Sequence, residues 1–181
     1  TVAMGYASML EMAPEDDRVG VASRIRAATE RINRLLANLE DVRLIDHGTL
    51  VLNAQRLDLR AHLEATVGDL RSSTRRRIDL VQVGDDEILV EADDGRISGA
   101  IANLVNNALK YGQPGSAVAV RVVADDEWAQ VTVIDDGPGV AQADLGVIYR
   151  KYGRGERLQS GSGLGLYLAR GTARAHGGDI H

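Results

Sequence analysis

The chain contains no cysteine among its 181 residues, which excludes disulfide bonds and thiolate metal sites. Its four histidines lack the close spacing of metal ligands, so a structural zinc site is not expected. No apolar stretch approaches the roughly 20 residues needed to cross a bilayer, and the N-terminus has no signal-peptide pattern. We therefore expect a cytoplasmic chain that makes no direct contact with a membrane.

An excess of basic residues is also missing. The chain has 21 lysines and arginines against 26 aspartates and glutamates, which gives a net charge of −5. This balance excludes a strongly basic nucleic-acid binder, and no nucleic-acid partner is expected. Apolar residues make up 44% of the chain, which is enough for one sizeable core and an accessory element.

The first 47 residues show helical periodicity. Apolar residues recur every three or four positions in a short segment, Val2–Ala13, and in a longer one, Val21–Val42. The turn residues Pro14–Asp17 separate the two. We interpret residues 1–47 as a helical hairpin that buries its apolar seams against a second copy, forming a four-helix bundle. Packing of the hairpin on the chain's own globular domain is the alternative.

From Gly48 onwards, strand and helix patterns alternate loosely, which predicts an α+β domain over residues 48–181. The predicted strands are a short one near Leu50–Leu52, then Ile78–Val83, Glu87–Glu91, Ala117–Val123, Trp128–Ile134 and a last one from Asp179. The predicted helices cover roughly 58–73, a segment capped by Asp93-Asp94 with a stripe of Ile97, Ile101, Leu104 and Ala108, and Leu164–Ala175. The stretch Val140–Ser160 is polar, glycine-dotted and basic, which is typical of a lid or binding loop.

Asn103 and Asn107 are four residues apart and so share one face of their helix, and Lys110 extends that face. Amide oxygens can bind a Mg²⁺ ion carried by a nucleotide, and a lysine can neutralise phosphate oxygens. Taken alone, the same residues would be ordinary solvated positions of a surface helix. Their meaning depends on whether a phosphate-binding loop follows.

Two glycine-rich runs follow. Asp135 ends an apolar strand, where its carboxylate can accept a hydrogen bond from the amine of adenine, although Asp135–Gly139 alone is also a plain turn. In Gly161–Leu166, glycines at every second position let the backbone approach phosphate at a helix start. This run does not follow the first strand of a parallel unit, which argues against a dinucleotide-binding fingerprint.

Together these runs resemble the nucleotide-binding boxes of sensor histidine kinases. Asn103–Tyr111 is similar to their N box, Asp135–Gly139 to their G1 box and Gly161–Leu166 to their G2 box. Ile148–Arg154 resembles the F box, with tyrosines where that family usually has phenylalanine, a residue this chain lacks. Thr1–Leu10 resembles the segment that directly follows the phosphoacceptor histidine motif, so the resemblance covers nearly the whole chain.

The resemblance implies a two-layer α/β sandwich of the GHKL ATPase type that binds ATP and Mg²⁺ between the N-box helix and a mobile lid. It implies that Asn107 binds Mg²⁺, that Asn103 and Lys110 contact phosphates as catalytic residues, that Tyr111 borders the nucleotide and that Asp135 binds the adenine amine. The other nucleotide contacts that it implies are Gly137, Gly139, Arg154, Gly161, Ser162, Gly163, Leu164, Gly165 and Leu166.

One position separates the reaction classes within that superfamily. Relatives that hydrolyse ATP carry a glutamate four residues before the magnesium-binding asparagine, whereas this chain has Asn103 there. An amide cannot act as a general base at neutral pH, so the site favours phosphoryl transfer over hydrolysis.

The implied function is that of a protein histidine kinase core, which relays phosphate to an aspartate of a response regulator receiver domain. The phosphoacceptor histidine is expected a few residues before Thr1, and the C-terminus stops before the expected closing strand, so both ends look trimmed from a longer chain. That chain can be the cytoplasmic part of a membrane-anchored sensor. The alternatives are the ATP-binding half of a split kinase, an anti-sigma-type serine kinase and a catalytically silent nucleotide-binding dimerisation module.

Overall fold

The computed structural model describes residues 17–82, 87–153 and 162–181. The chain divides into two compact units between Asp46 and His47. The described part of the first unit is one long helix, α1 (Arg18–Asp46), which confirms the longer predicted helix. The shorter predicted helix, Val2–Ala13, lies outside the described residues. None of the described helices has both the length and the apolar character needed to cross a bilayer.

Helix α1 keeps a row of large apolar side chains exposed. Four of them occupy positions i, i+3, i+4 and i+7 and therefore share one face of the helix. They are Ile32 (43% exposed), Leu35 (43%), Leu36 (60%) and Leu39 (50%).

The second unit mixes helices and strands, which confirms the predicted α+β class. Its elements are β1 (Gln55–Asp58), α2 (Leu59–Ser73), β2 (Ile78–Gln82), β3 (Leu89–Ala92), α3 (Asp94–Tyr111), β4 (Val118–Ala124), β5 (Ala129–Ile134), α4 (Leu145–Ile148) and α5 (Gly165–Ala175). Strands β1 and β3 form an antiparallel pair. In the other sheet β4 is central, parallel to β2 and antiparallel to β5, so the predicted hairpin of the last two strands is confirmed.

The core lies between two helices and the three-stranded sheet. Every second residue of β4, from Val118 to Val122, is fully buried, as expected for a strand with one face on a core. Leu63 and Val67 of α2 and Val105 of α3 are also fully buried in this core. Burying such side chains contributes about 1.5–3 kcal/mol each, so this packing fixes α3 on the sheet.

Aspartates begin both long helices of the second unit. Asp58 accepts a hydrogen bond from the Arg60 N–H at the start of α2. Asp93 accepts one from the Arg96 N–H at the start of α3, at 3.1 Å, which confirms the cap expected there.

Two predicted strands are wrong. Residues 50–52 form no strand, and the first strand begins instead at Gln55, where β3 is available for pairing. No strand begins at Asp179 either, because residues 179–181 pair with no strand among the described residues. The Asp179 carboxylate accepts hydrogen bonds from Arg170 at 2.6 and 2.9 Å and from Arg174 at 3.2 Å instead. The hydrogen bonds from Arg170 are the main cause of the low pKa of Asp179, which lies well below its ordinary value.

Candidate functional site

A pocket of about 190 Å³ brings together residues of all four motifs, the N, G1, F and G2 boxes. It lies where the second half of α3, the end of β5 and the start of α5 meet. Its lining residues are Leu104, Asn107, Ala108, Tyr111, Val133, Asp135, Val140, Ile148 and Leu166. Its volume is below the roughly 300–1,000 Å³ typical of pockets that enclose a whole small ligand. It is therefore suited to the flat end of a larger molecule.

Helix α3 supplies the side chains predicted from the N box, in two groups. Asn107 and Tyr111 line the pocket. Asn103 lies one turn earlier, beside the first residue of α5: a Cβ atom added to Gly165 would come within 3.4 Å of the Asn103 Oδ1. Lys110 is exposed and donates a hydrogen bond from Nζ to the Tyr111 hydroxyl, at 2.6 Å. Amide and ammonium groups thus extend from the pocket along one side of α3.

The turn after β5 places Asp135 in the pocket lining. One oxygen of its carboxylate accepts a hydrogen bond from the Gly137 N–H at 2.7 Å, which fixes the side chain and leaves the second oxygen for a ligand. Gly137 packs so closely on the end of α3 that an added Cβ would lie 2.7 Å from the Tyr111 carbonyl oxygen. Gly139 has a positive φ of 69° and open space around it. The turn therefore needs Gly137 for close packing on α3 and Gly139 for its left-handed backbone conformation.

The start of α5 is joined to Tyr152, which lies within the predicted lid. Gly163 has a φ of 69°, and its carbonyl oxygen accepts a hydrogen bond from the Tyr152 N–H at 3.0 Å. An added Cβ at Gly163 would lie 2.8 Å from the Tyr152 Cα, so only glycine fits there. Tyr152 itself has a φ of 58°, which is unusual for a residue with a side chain.

The remaining G2 residues surround the first turn of α5. Leu164 is buried, Ser162 is exposed and Leu166 lines the pocket. The Ser162 Oγ accepts a long hydrogen bond of 3.4 Å from the Leu164 N–H. The free N–H groups and the dipole of an 11-residue helix make this end of α5 suitable for a phosphate group. Arg154 and Gly161 lie outside the described residues.

The predicted lid, Val140–Ser160, is not entirely loop, because it contains the short helix α4. Ile148 of α4 is buried and lines the pocket. The next residue, Tyr149, places its ring 4.7 Å from the Arg170 guanidinium of α5, a cation–π contact. The first part of this segment is therefore packed on the rest of the site.

Sequence reasoning missed most of the apolar lining. Leu104 and Ala108 were expected in the buried stripe of α3, and Val133, Val140 and Ile148 were given no role at the site, although all five line the pocket. Leu104 and Ala108 lie within the N box, Ile148 begins the F box, and Val133 and Val140 lie two residues before and one residue after the G1 box. These positions are the signal that could have identified them.

A second cavity, of about 320 Å³, lies between α3, α5 and the start of β5. It is larger than the first, and its lining includes Trp128 and Ile180, but none of the predicted site residues contributes to it. Since a binding site is marked by converging polar groups as well as by volume, we place the candidate site in the smaller pocket.

The protein oxygen atoms at the pocket suit a magnesium ion that binds together with the phosphates of a ligand. No cluster of three or more histidine, aspartate or glutamate side chains that could hold a metal occurs in residues 17–82, 87–153 and 162–181. Asn107 offers one neutral oxygen ligand at the pocket. Mg²⁺ is commonly held by one or two protein oxygens together with substrate phosphates and water, so Asn107 fits such an ion.

Comparisons with known proteins converge on one family. The family described as "Histidine kinase-, DNA gyrase B-, and HSP90-like ATPase" matches residues 92–181. The chain is 29% identical over 171 residues to the signal transduction histidine-protein kinase/phosphatase MprB of Mycobacterium sp. (strain KMS), an alignment that covers 92% of this chain and 32% of MprB. The chain spans about a third or less of the length of the curated relatives it matches.

Solved structures share the fold. The histidine kinase AdeS of Acinetobacter baumannii superposes with a TM-score of 0.67 at 17% identity, over 96% of this chain and 82% of AdeS. Full-length ShkA, solved in complex with AMPPNP, gives a TM-score of 0.65 at 24% identity, over 87% of this chain and 34% of ShkA. At these identities the likeness establishes the architecture alone.

Proposed function

Residues 92–181 of this chain belong to the histidine kinase-, DNA gyrase B- and HSP90-like ATPase family, and we propose that the protein is the core of a sensor histidine kinase. In this proposal it binds Mg-ATP and transfers the γ-phosphate to a histidine side chain, from which a response regulator aspartate receives it. The names of the relatives support this function, as does the AMPPNP in the ShkA structure.

The observation that carries the proposal is the meeting of the N, G1 and G2 boxes at one pocket. Asn107 and Tyr111 from α3, Asp135 from the turn after β5 and Leu166 from α5 all line it, although they are separated widely in sequence. Isolated surface asparagines or a plain turn would not bring these groups to a common cavity. An ATP site explains why they converge.

Each end of ATP has a matching part of the site. The apolar walls take the flat adenine, and the Asp135 carboxylate accepts a hydrogen bond from its amine. The phosphates extend toward Lys110 and the start of α5, where positive charge and helix N–H groups stabilise them. A magnesium ion on Asn107 would neutralise part of the phosphate charge.

The site is arranged for transfer to an imidazole. A nitrogen of the acceptor attacks the γ-phosphorus, the bond to the bridging oxygen breaks, ADP leaves, and the imidazole proton passes to solvent. Asn103 beside Gly165 cannot deprotonate water, which keeps hydrolysis slow.

The acceptor is proposed to precede Thr1, because two of the four histidines here are engaged within the fold. His62 bonds the Ser98 hydroxyl at 2.8 Å. The His176 ring accepts a hydrogen bond from the Asp93 N–H and bonds the Thr172 carbonyl oxygen. Residues 1–47 are proposed as the surface that forms a homodimer, and the receiver domain of a response regulator as the second partner.

Nucleotide binding is the first test. Titration calorimetry of the chain with ATP, with and without Mg²⁺, should show that Asn107→Ala removes the gain in affinity that Mg²⁺ provides. Asn106→Ala is the matched control, since Asn106 is an exposed neighbour on the same helix. Asp135→Asn should lose affinity for ATP, while Asp126→Asn in the exposed β4–β5 loop should not. Equal binding by all four variants would contradict the assigned site.

The fate of the γ-phosphate is the second test. The chain, extended by its natural upstream residues, is incubated with Mg²⁺ and γ-labelled ATP. Acid-labile and alkali-stable label on the protein, absent from Asn107→Ala and Asp135→Ala, is the expected result for a histidine kinase. Release of free phosphate would indicate a hydrolase. Tight binding without transfer would instead favour a split kinase that needs a second chain, or a silent module.

A further inference from the structure

We propose that Arg76 is a positioning residue that holds the adenine-binding Asp135 in place from behind the pocket. The inference rests on the proposed function, because it assigns Asp135 the role of selecting the base. Arg76 lies in the turn between α2 and β2 and is not among the residues that line the pocket. It belongs to none of the nucleotide-binding motifs.

The Arg76 guanidinium joins two segments that frame the site. Its Nη1 donates to the Leu109 carbonyl oxygen at 2.5 Å, in the last turn of α3, between Asn107 and Tyr111. Its Nε and Nη2 both donate to the Ser116 carbonyl oxygen, at 3.1 and 3.0 Å. The planar guanidinium therefore links the last turn of α3, at Leu109, to the following loop, at Ser116, by hydrogen bonds. A lysine has no such fork and could not make all these bonds at once.

The connection continues to the residue next to Asp135. The Arg76 Nη2 donates to the Ser116 Oγ at 2.7 Å, and that hydroxyl lies 2.6 Å from the Asp136 Oδ1. The same Asp136 oxygen accepts a hydrogen bond from the Gln113 N–H at 3.1 Å. The bond with Ser116 is the main cause that lowers the pKa of Asp136, and the Arg76 charge adds to it. Asp136 is thus held as a carboxylate at the end of this chain of contacts.

Close packing makes the position of the turn sensitive to Arg76. Gly112 has so little space that an added Cβ would lie 3.2 Å from the Arg76 Nη2 and 3.4 Å from the Asp135 Cβ. On the other side, Gly137 lies against the Tyr111 carbonyl oxygen. Because Gly112 and Gly137 have little room even for a Cβ atom, a shift of the loop after α3 presses on Asp135 and its turn.

The test compares ATP with GTP. Adenine presents an amine where guanine presents a carbonyl oxygen, so a correctly placed Asp135 carboxylate favours ATP. Loss of stability lowers the folded fraction and weakens both ligands by the same factor, so it leaves their ratio unchanged. A positional change of Asp135 alters the ratio itself.

The experiment measures the Kd of the full chain for both nucleotides with Mg²⁺ present, by calorimetry. Arg76→Met should reduce the preference for ATP by about 3- to 30-fold. The matched control is Arg75→Met, which changes the exposed neighbour in the same turn and should keep the wild-type preference. If Arg76→Met keeps it too, the inference is overturned.

If Arg76→Met does not fold, two milder variants test whether Arg76 controls the preference for ATP over GTP. Arg76→Lys keeps the charge without the fork, and Ser116→Ala removes the hydroxyl link to Asp136. A reduced ATP preference in either supports the inference, and a wild-type preference in both overturns it. If the wild-type chain binds no ATP, the proposed function is overturned, and this inference with it. If the chain binds ATP but the variants keep the wild-type ratio of the Kd for GTP to the Kd for ATP, only the role of Arg76 is overturned.

Discussion

Gly163 lies where two backbone segments approach too closely for any side chain between them. Its φ of 69° is readily adopted by glycine alone, and the Tyr152 backbone occupies the place of a Cβ atom. Gly68, in the middle of α2, is the opposite case, since an added Cβ there would meet nothing within 4 Å. The two glycines therefore predict opposite effects for the same substitution.

We expect Gly163→Ala to destabilise the protein by at least about 1–2 kcal/mol, the cost of a left-handed conformation for alanine. It should also weaken ATP binding, because it displaces Tyr152 and the start of α5. Gly68→Ala should stabilise the protein by about 0.5–1 kcal/mol, since alanine is the better helix former. Thermal unfolding of both variants checks the signs, and a Gly163→Ala protein as stable as Gly68→Ala would refute the assigned contact.

Single residues also show what the sequence can and cannot predict about the site. Asp135 and Asn107 were predicted at the site because polar groups near glycine runs suggest a chemical role, and Tyr111 because the resemblance to the N box implies it. Val133 and Ile148 were not, because an apolar residue that lines a pocket has the same pattern as one in the core. Arg76 was missed for another reason: its partners lie 33 and 40 residues away, and no local pattern connects them.

At the scale of elements, the start of α3 is fastened to the end of α5. Asp93 accepts hydrogen bonds from the Asn53 and Arg96 N–H groups, and its own N–H donates to the His176 Nε2 at 3.0 Å. The His176 Nδ1 bonds the Thr172 carbonyl oxygen at 2.8 Å, so the ring links the start of α3 to the last turn of α5. This arrangement fixes the position of α3, which carries Asn107, relative to α5, which begins at the G2 residue Gly165.

We expect Asp93→Ala to lower the free energy of unfolding by about 1–2 kcal/mol, as for the loss of other N-caps. Burial raises the pKa of Asp93, but the two N–H bonds and the nearby Arg96 and His176 together outweigh it, so the pKa lies below its ordinary value. The stabilisation is therefore fully present above about pH 4 and is lost as the pH falls through the lower, folded-state pKa. Urea unfolding of Asp93→Ala and wild type at several pH values measures this.

The control is Asp126→Ala, an exposed loop aspartate that should change stability little at any pH. A difference between wild type and Asp93→Ala that stays constant from neutral pH down to pH 2 would show that the carboxylate charge is not what stabilises the cap.

Most elements of the second unit lie within two residues of their predicted bounds, because long periodic patterns and capping residues are local signals. The exception near Leu50–Leu52 is instructive. Three apolar residues suggest a strand, yet Val51 is 82% exposed, and the polar run Gln55–Asp58 forms the strand instead, because it pairs with β3. The pairing of β1 is decided by partners 31 to 37 residues away, and the parallel register of β2 and β4 by partners 40 residues apart.

At the scale of the whole molecule, the exposed apolar row of α1 bears on the proposed homodimer. We expect the double substitution Leu36→Glu and Leu39→Glu to convert the dimer to a monomer, because it places charge on a face that a second copy would bury. Arg34→Glu is the control, since Arg34 is exposed on the same helix. Sedimentation analysis reports the mass, and ATP affinity should remain unchanged. A double variant with wild-type mass would place the dimer interface elsewhere.

The hydrogen bond between Tyr152 and Gly163 closes the intervening chain into a ring with a fixed neck. Both residues at this neck have a positive φ, 58° at Tyr152 and 69° at Gly163. The two ends of the ring meet only while both backbones keep this left-handed conformation, so a substitution that displaces either residue is transmitted to the other.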